Sequence, residues 1–193
     1  YKRQVYVRKV YRIPEGGRSA RGQNIVNIIP TDPGEKVSAM IAGRGVTEDN
    51  YLVFVTRNGT VKRTAQSAFK NIRSNGIRAL SLDEGDELIS VLQTTGENKI
   101  LLATHDGMAI CFAETDARAM GRDAVGVRGI RLREGDYVVG AGIAAEGAAI
   151  LSITENGYGK RTDVGEYSVQ NRGGMGLKNY NVTDKTGPVA DVV

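Results

Sequence analysis

Cysteine and histidine are almost absent from this chain of 193 residues, which contains one of each. Most metal sites in proteins need three or four sulfur or nitrogen ligands, so this composition excludes them. A single cysteine also excludes a disulfide framework and favours a reducing cytosol. No apolar run approaches the roughly 18 residues of a membrane span, and no signal-peptide pattern opens the chain. We therefore expect a cytoplasmic protein with no metal, no cofactor of its own and no membrane partner.

Proline is also scarce, with 4 residues, whereas the 25 glycines are about twice the usual share of roughly 7%. Abundant glycine without low complexity predicts many tight turns, and abundant Val and Ile favour strands. No sustained helical period is present, and only residues 116–120 are expected to form a single turn. The chain opens without Met on a segment typical of a strand, so we expect it to be part of a longer protein.

Three β-hairpins are predicted from the combination of an apolar run and a two-residue turn. The turns are Asn58-Gly59, Asp106-Gly107 and Asn156-Gly157. Asn-Gly and Asp-Gly supply the positive φ angles of a type I′ turn, which is the strongest short hairpin signal. The three turn glycines are 48 and 50 residues apart.

Two further marks keep nearly the same period. The first is an arginine three or four residues before a glycine, at Arg18 and Gly22, Arg73 and Gly76, Arg122 and Gly126, and Arg172 and Gly176. The second is an acidic glycine turn before an apolar strand, at Glu84-Gly85-Asp86, Glu134-Gly135-Asp136 and, more loosely, Pro33-Gly34-Glu35. A period of about 50 residues in three independent marks indicates an internal repeat.

The repeat divides the chain, taken as one domain over 1–193, into units of approximately 1–50, 51–98, 99–147 and 148–193, the first lacking its opening hairpin strand. Such all-β units are typical of the blades of a propeller-like disc. Leu52, Val53, Phe54 and Val55 are apolar at every position, as expected if each sheet is buried between two neighbours. We therefore expect the units to be stable only when stacked.

Basic residues recur at matching places in the repeat. Lys62-Arg63 and Lys160-Arg161 follow two hairpin turns, Arg8-Lys9 is assigned to the equivalent strand of the first unit, and the third unit has Ile110-Cys111 instead. Others surround the arginine-to-glycine mark: Arg18, Arg21, Lys70, Arg73, Arg78, Arg118, Arg122, Arg128, Arg131, Arg172 and Lys178. Corresponding positions of stacked blades lie on one edge of a disc. We therefore predict a continuous basic rim that binds and bends duplex DNA through its phosphates, without base recognition.

Other functions are less well supported by the residues. A propeller that serves as a protein-binding scaffold remains an alternative. An enzyme with its site at the disc centre is not supported, because the sequence shows no recognisable set of catalytic residues. Residues 140–145 fit a dinucleotide fingerprint loosely but leave no room for a helix, so we interpret them as a strand. His105 is interpreted as a solvent-facing turn residue, Cys111 as a strand core residue, and the carboxylates at 83–87 as a solvated turn. ATP binding is not predicted, because no Walker sequence is present.

Several segments together resemble the C-terminal domains of DNA gyrase A. They are residues 18–27, residues 118–122 continued by 126–132, and residues 156–162. The resemblance implies a β-pinwheel of about six blades that exchange strands, of which this chain holds about four. It also implies a non-catalytic module that wraps double-stranded DNA and so supports negative supercoiling by an ATP-dependent type II topoisomerase. The catalytic tyrosine, ATP and Mg²⁺ would act elsewhere in the holoenzyme, a bacterial, chromosome-associated heterotetramer in which a homodimer of gyrase A is assembled with gyrase B.

One departure from the family pattern concerns its Gln-Arg-Arg-Gly-Gly-Lys-Gly box, which belongs to the first blade. Residues 170–176 resemble this box but lie late in the chain, and Asn171 and Met175 replace two of its basic residues. We interpret them as a box-like turn of the repeat. The equivalent C-terminal domain of topoisomerase IV, which has a degenerate box and fewer blades, therefore remains a close alternative.

Overall fold

The computed structural model describes residues 3–32, 34–42 and 49–193. Within them the chain forms β-strands and short 3-10 turns, without an α-helix. The strands are β1 Gln4–Val5, β2 Tyr51–Thr56, β3 Thr60–Ala65, β4 Ile77–Arg78, β5 Leu88–Thr94, β6 Lys99–Thr104, β7 Met108–Ala113, β8 Val127–Arg128, β9 Val138–Ile143, β10 Ala149–Thr154, β11 Gly159–Asp163, β12 Leu177–Lys178 and β13 Val189–Val192. The 3-10 turns are Val10–Arg12, Ile25–Asn27, Gln66–Phe69, Glu114–Asp116 and Val164–Glu166. Pro33 of the loosest acidic glycine mark lies outside the described residues.

The three predicted hairpins are present. β2 pairs with β3, β6 with β7 and β10 with β11, all antiparallel. Their turn glycines have positive φ angles of 78° at Gly59, 81° at Gly107 and 81° at Gly157. The preceding Asn58, Asp106 and Asn156 do not, so the predicted type I′ geometry is wrong. Each glycine N–H instead donates to the carbonyl oxygen three residues earlier, at Thr56, Thr104 and Thr154, as in a type I turn followed by a left-handed glycine. The single turn expected at residues 116–120 is instead a 3-10 turn at Glu114–Asp116, directly after β7.

The strands form four sheets, of which three contain a hairpin, and strands are exchanged between repeats. Their strand orders are β1-β4, β5-β2-β3-β8, β9-β6-β7-β12 and β13-β10-β11. β8 follows the β6–β7 hairpin along the chain but pairs with β3, and β12 pairs with β7 in the same way. The fold is therefore an all-β pinwheel with exchanged strands, as the sequence predicted.

The two edges of each four-stranded sheet have different surroundings. Consecutive sheets contact each other along β5, β9 and β13. Small residues allow this approach, because a Cβ added at Gly140 would lie 2.7 Å from Cγ2 of Val192. The contacting edges form the hub of the pinwheel. The exchanged strands β4, β8 and β12, at the opposite edges, therefore lie on its perimeter.

The core lies between the sheets rather than inside any one of them. Val53 and Val55 pack with Ile100 and Leu102 of the following sheet, whereas Leu52 and Phe54 pack with Ala79 and Leu80 of the exchanged strand region. Leu101 and Ala103 similarly pack against Ile150, Val189 and Val192. Full burial stabilises each large aliphatic side chain by about 1.5–3 kcal/mol. These contacts confirm that β2 and β6 are buried on both faces, whereas β10 leaves Leu151 and Ile153 exposed on one face. Within the described residues, no helix is long and apolar enough to cross a bilayer.

Candidate nucleic-acid interface

The clearest basic feature of the perimeter is a set of three residues that occupy one position of the repeat. Arg78 pairs with Gln4, Arg128 with Thr60 and Lys178 with Met108, so each cation ends an exchanged strand in the same register. All three side chains are exposed. Equivalent positions of stacked sheets lie on the same edge, so we expect these cations to form a row on the outer edge.

A second group of cations lines one open cleft between the second and third units. Lys70, Arg73 and Arg122 share it with the polar residues Ser67, Asn71 and Asn75. Three cations beside amide and hydroxyl groups form a surface suited to an anionic group, such as a backbone phosphate. The cleft therefore joins Arg122, from the third unit, to two cations that sequence spacing assigned to the second unit.

The remaining predicted cations differ in how freely they face solvent. Arg8 and Arg172 are half-buried, and both donate hydrogen bonds to backbone carbonyls. Lys160 is exposed, although its Nζ donates to the carbonyl oxygen of Asn179 at 2.5 Å. The others are exposed: Lys9, Arg18, Arg21, Arg118, Arg131 and Arg161. Their exposure is compatible with contact to a large polyanion, and their role as DNA ligands stays a prediction.

The structure contradicts the assignment of Lys62 to DNA. Its side chain is only 1% exposed and points into the stack of sheets. The ammonium group donates to the carbonyl oxygen of Ala79 at 2.7 Å and to that of Arg122. Burial lowers the pKa of Lys62 from 10.5 to about 8, an effect that Asp123 opposes and Arg122 reinforces. Lys62 therefore links neighbouring repeats and cannot reach a phosphate outside.

Arg63 was also wrongly assigned to the rim, because it is 9% exposed and faces the next sheet. Its Nη1 lies 3.7 Å from Oε2 of Glu114, and its guanidinium lies 4.5 Å from the centre of the Tyr51 ring. Glu114 is itself 1% exposed and accepts hydrogen bonds from Oγ1 of Thr94 and the backbone of Asn98. Arg63 therefore belongs to a buried ionic contact between the second and third units.

The strand assignment of Arg8-Lys9 is wrong by two positions. β1 ends at Val5, and the pairing of Gln4 with Arg78 matches that of Thr60 with Arg128. Tyr6 and Val7 therefore occupy the positions of Lys62 and Arg63. Sequence spacing missed this shift because the first unit has no Asn-Gly turn to set the register.

The box-like residues 170–176 form an ordered contact rather than a free loop. Nη1 of Arg172 donates to the carbonyl oxygen of Arg128 at 2.6 Å, and its Nε donates to that of Asp116 at 3.2 Å. Gly176 has a φ of 76°, and a Cβ there would lie 2.3 Å from the carbonyl oxygen of Ala109. The glycine mark thus records a close approach of two backbones.

His105 is not the solvent-facing turn residue that the sequence suggested. Its ring stacks on Tyr137 with 4.5 Å between centroids, its Nε2 lies 3.4 Å from Oε1 of Glu155, and its side chain is 20% exposed. Ligand atoms of His105, Asp106 and Asp136 lie within 4.8 Å of one another. However, Asp136 accepts hydrogen bonds from the backbone N–H groups of Asp106 and Tyr137. This carboxylate therefore caps the hairpin turn.

Two other interpretations from the sequence agree with the structure. Cys111 is 2% exposed within β7, and burial raises the pKa of its thiol. Residues 140–143 belong to β9, where Gly140 serves the packing of the hub. Sequence reasoning missed a cation–π contact near this hub. The guanidinium of Arg57 lies 3.5 Å from the centre of the Tyr137 ring. No periodic mark pointed to it, because an arginine is present at this position only in the second unit.

Comparison with known proteins connects this geometry with one family. The chain is 46% identical over 191 residues to the DNA gyrase A protein of Staphylococcus aureus, covering 97% of this chain and 22% of that protein. The chain thus spans about a fifth of the length of such curated relatives. A DNA gyrase A C-terminal domain structure superposes with a TM-score of 0.85 at 27% identity, over 100% of this chain and 62% of that one. The C-terminal domain of a DNA topoisomerase IV superposes with a TM-score of 0.81 at 31% identity, over 89% and 54%.

A match to the family described as "DNA gyrase C-terminal domain, beta-propeller" extends over nearly the whole chain, in four segments. These are residues 2–43, 50–95, 98–145 and 149–193. The exchange of strands between consecutive repeats agrees with this match. The chain belongs to the family of DNA gyrase C-terminal domains.

Proposed function

We propose that this chain binds duplex DNA along its perimeter and bends it, as a non-catalytic part of a type II DNA topoisomerase. The observation that carries this proposal is the equivalent placement of Arg78, Arg128 and Lys178 on consecutive exchanged strands. A row of exposed cations matches the repeated negative charge of a DNA backbone. The names of the relatives, which are gyrase and topoisomerase IV proteins, support the same function.

The recognition would be through phosphates rather than bases. Within the described residues there is no α-helix to enter a major groove, and the perimeter strands are only two residues long. Cations at the ends of such strands can contact phosphates without following a particular sequence. A rigid stack of sheets would fix the direction of the bound duplex. Each blade then adds to the bend by holding the backbone at its own rim position.

We further propose that the parent protein is a gyrase A rather than its topoisomerase IV counterpart. The 46% identity to a gyrase A over 97% of the chain supports this choice. In that setting the chain would wrap DNA beside the cleavage site and favour negative supercoiling. ATP hydrolysis, Mg²⁺ binding and assembly with gyrase B would belong to other parts of the complex. An intact Gln-Arg-Arg-Gly-Gly-Lys-Gly segment upstream in the parent protein would favour gyrase, and its absence would favour topoisomerase IV.

The experiment that tests DNA binding is a mobility shift of a duplex of about 40 base pairs, measured over a range of salt concentrations. The test variant carries Arg78→Glu, Arg128→Glu and Lys178→Glu. Losing three phosphate contacts should flatten the dependence of log K on log salt by about 2.7, since each contributes about 0.9. The loss should be the same for unrelated DNA sequences.

A matched control reverses three other exposed cations, Lys99, Arg133 and Lys185, which lie outside the predicted rim. It has the same net charge as the test variant but keeps the perimeter row. It should therefore bind with nearly the wild-type salt dependence. Equal weakening in both variants would show that only total charge matters and would reject the rim. Absence of binding by the wild type at about 50 mM salt, where phosphate contacts are strong, would favour a protein-binding scaffold instead.

A further inference from the structure

Arg172 lies at the perimeter, next to one of the rim cations, but its guanidinium is directed at the protein backbone. The side chain is half-buried. Nη1 donates to the carbonyl oxygen of Arg128 at 2.6 Å, and Nε donates to the carbonyl oxygen of Asp116 at 3.2 Å. One guanidinium therefore joins the end of exchanged strand β8 to the 3-10 turn that follows β7. β8 belongs to the sheet of β2 and β3, whereas the turn follows β7 of the next sheet.

Backbone hydrogen bonds reinforce the same contact on both sides of Arg172. The N–H of Gly173 donates to the carbonyl oxygen of Gly129 at 2.7 Å, and the N–H of Arg131 donates to that of Gly174 at 2.7 Å. Gly173 has a φ of 83°, a conformation that favours glycine. The box-like segment thus holds residues 128–131 through both side-chain and backbone groups.

The preceding junction, between the second and third units, is held by a different group. There the hydroxyl of Ser81 donates to the carbonyl oxygen of Asp123 at 2.9 Å, and its backbone N–H donates to that of Ala124 at 3.3 Å. Ser81 and Arg131 occupy equivalent positions of the repeat, as do Ala124 and Gly174. The backbone part of the contact therefore recurs, whereas the guanidinium of Arg172 is added at the junction that carries Arg128.

We propose that Arg172 is a positioning residue, which fixes the backbone of Arg128 so that the Arg128 side chain is held at the rim. This inference rests on the proposed DNA binding and refines it, because it separates a residue that touches phosphate from one that orients it. Two of the five N–H donors of the guanidinium bond to carbonyl oxygens, which directs the side chain toward the protein backbone. Arg172 would therefore affect DNA affinity mainly through Arg128.

A double-mutant cycle on the same duplex tests this dependence. Arg128→Ala should weaken binding about fivefold and reduce the salt slope by about 0.9, the value for one phosphate. Arg172→Ala should weaken binding to a similar degree in the wild type but leave affinity unchanged in the Arg128→Ala background. In a Lys178→Ala background, its full effect should persist. Full additivity of Arg172→Ala with Arg128→Ala would overturn the proposal.

Arg172→Lys separates charge from geometry. A lysine keeps the positive charge but offers one ammonium group in place of the planar guanidinium that spans two carbonyl oxygens. It should therefore behave like Arg172→Ala, whereas wild-type affinity would identify a simple phosphate ligand and overturn the proposal. Far-UV circular dichroism before each titration selects the temperature at which both variants are folded. If the wild type did not bind DNA, the proposed function itself would be rejected. If the wild type bound DNA but the effects of Arg172→Ala and Arg128→Ala on affinity were additive, only the role of Arg172 would be rejected.

Discussion

The hairpin glycines offer a direct test of how the repeats stack, because two of them have the same backbone geometry and different surroundings. Gly107 and Gly157 both have a φ of 81°. Alanine in this left-handed region costs about 1–2 kcal/mol for the backbone alone. Both Gly107→Ala and Gly157→Ala should therefore share this loss. Any further difference between the two variants reports the contact with the neighbouring repeat.

The surroundings of Gly107 predict a second, larger loss. A Cβ at Gly107 would lie 2.6 Å from the carbonyl oxygen of Tyr180, whereas the described residues place nothing within 4 Å of a Cβ at Gly157. The carbonyl oxygen of Gly107 also accepts hydrogen bonds from the backbone N–H groups of Asn179 and Tyr180, at 2.8 and 3.0 Å. Displacing this backbone would weaken both hydrogen bonds, each contributing about 1 kcal/mol. We therefore expect losses of about 3–4 kcal/mol for Gly107→Ala and about 1–2 kcal/mol for Gly157→Ala.

Urea unfolding of the 193-residue chain, followed by far-UV circular dichroism, measures both free energies of unfolding. Gly59→Ala serves as an intermediate case, since its Cβ would lie 2.8 Å from the movable Cγ2 of Ile130 and 3.1 Å from the carbonyl oxygen of the same residue, a wider backbone separation than the 2.6 Å at Gly107. The expected order of destabilisation is Gly107, then Gly59, then Gly157. Equal losses at Gly107 and Gly157 would refute the conclusion that hairpin turns bind the following exchanged strand.

Two further predictions concern the buried cations. Because the pKa of Lys62 is lowered from 10.5 to about 8, the unfolded chain holds a proton between these pH values that the folded chain has released. The free energy of unfolding therefore increases by up to about 3 kcal/mol as the pH rises through this window. Lys62→Met removes this gain, and a difference between wild type and variant that did not change with pH in urea titrations would contradict the assignment. The second prediction concerns Arg63. Arg63→Ala should lower the free energy of unfolding by about 3 kcal/mol or more, because it leaves the buried Glu114 without its cationic partner. Arg63→Ala and Glu114→Gln should be non-additive by about 1–2 kcal/mol in urea unfolding, and simple additivity would show that this contact is not energetically coupled.

Local turn chemistry accounts for the parts of the fold that the sequence predicted well. Asn58-Gly59 and Asp106-Gly107 identify hairpins because each turn ends on a residue with a positive φ angle, which glycine adopts without strain. The repeat period then predicts equivalent sheets, and continuous apolar strands predict burial on both faces. The first unit was misaligned by two residues, since it lacks this turn chemistry and its register depends on pairing with β4.

The amino-acid sequence by itself determined the hairpins, the repeat and the supply of basic residues, because these depend on neighbouring residues and on composition. Tertiary structure alone decided which cations are available. Lys62 and Arg78 are both basic residues of the second unit. Lys62 is enclosed between repeats, whereas Arg78 ends an exchanged strand on the perimeter. The physical reason is that a strand has two faces and a sheet has two edges. Which of these meets solvent depends on the neighbouring blade, and that blade is formed by residues roughly one repeat away along the chain.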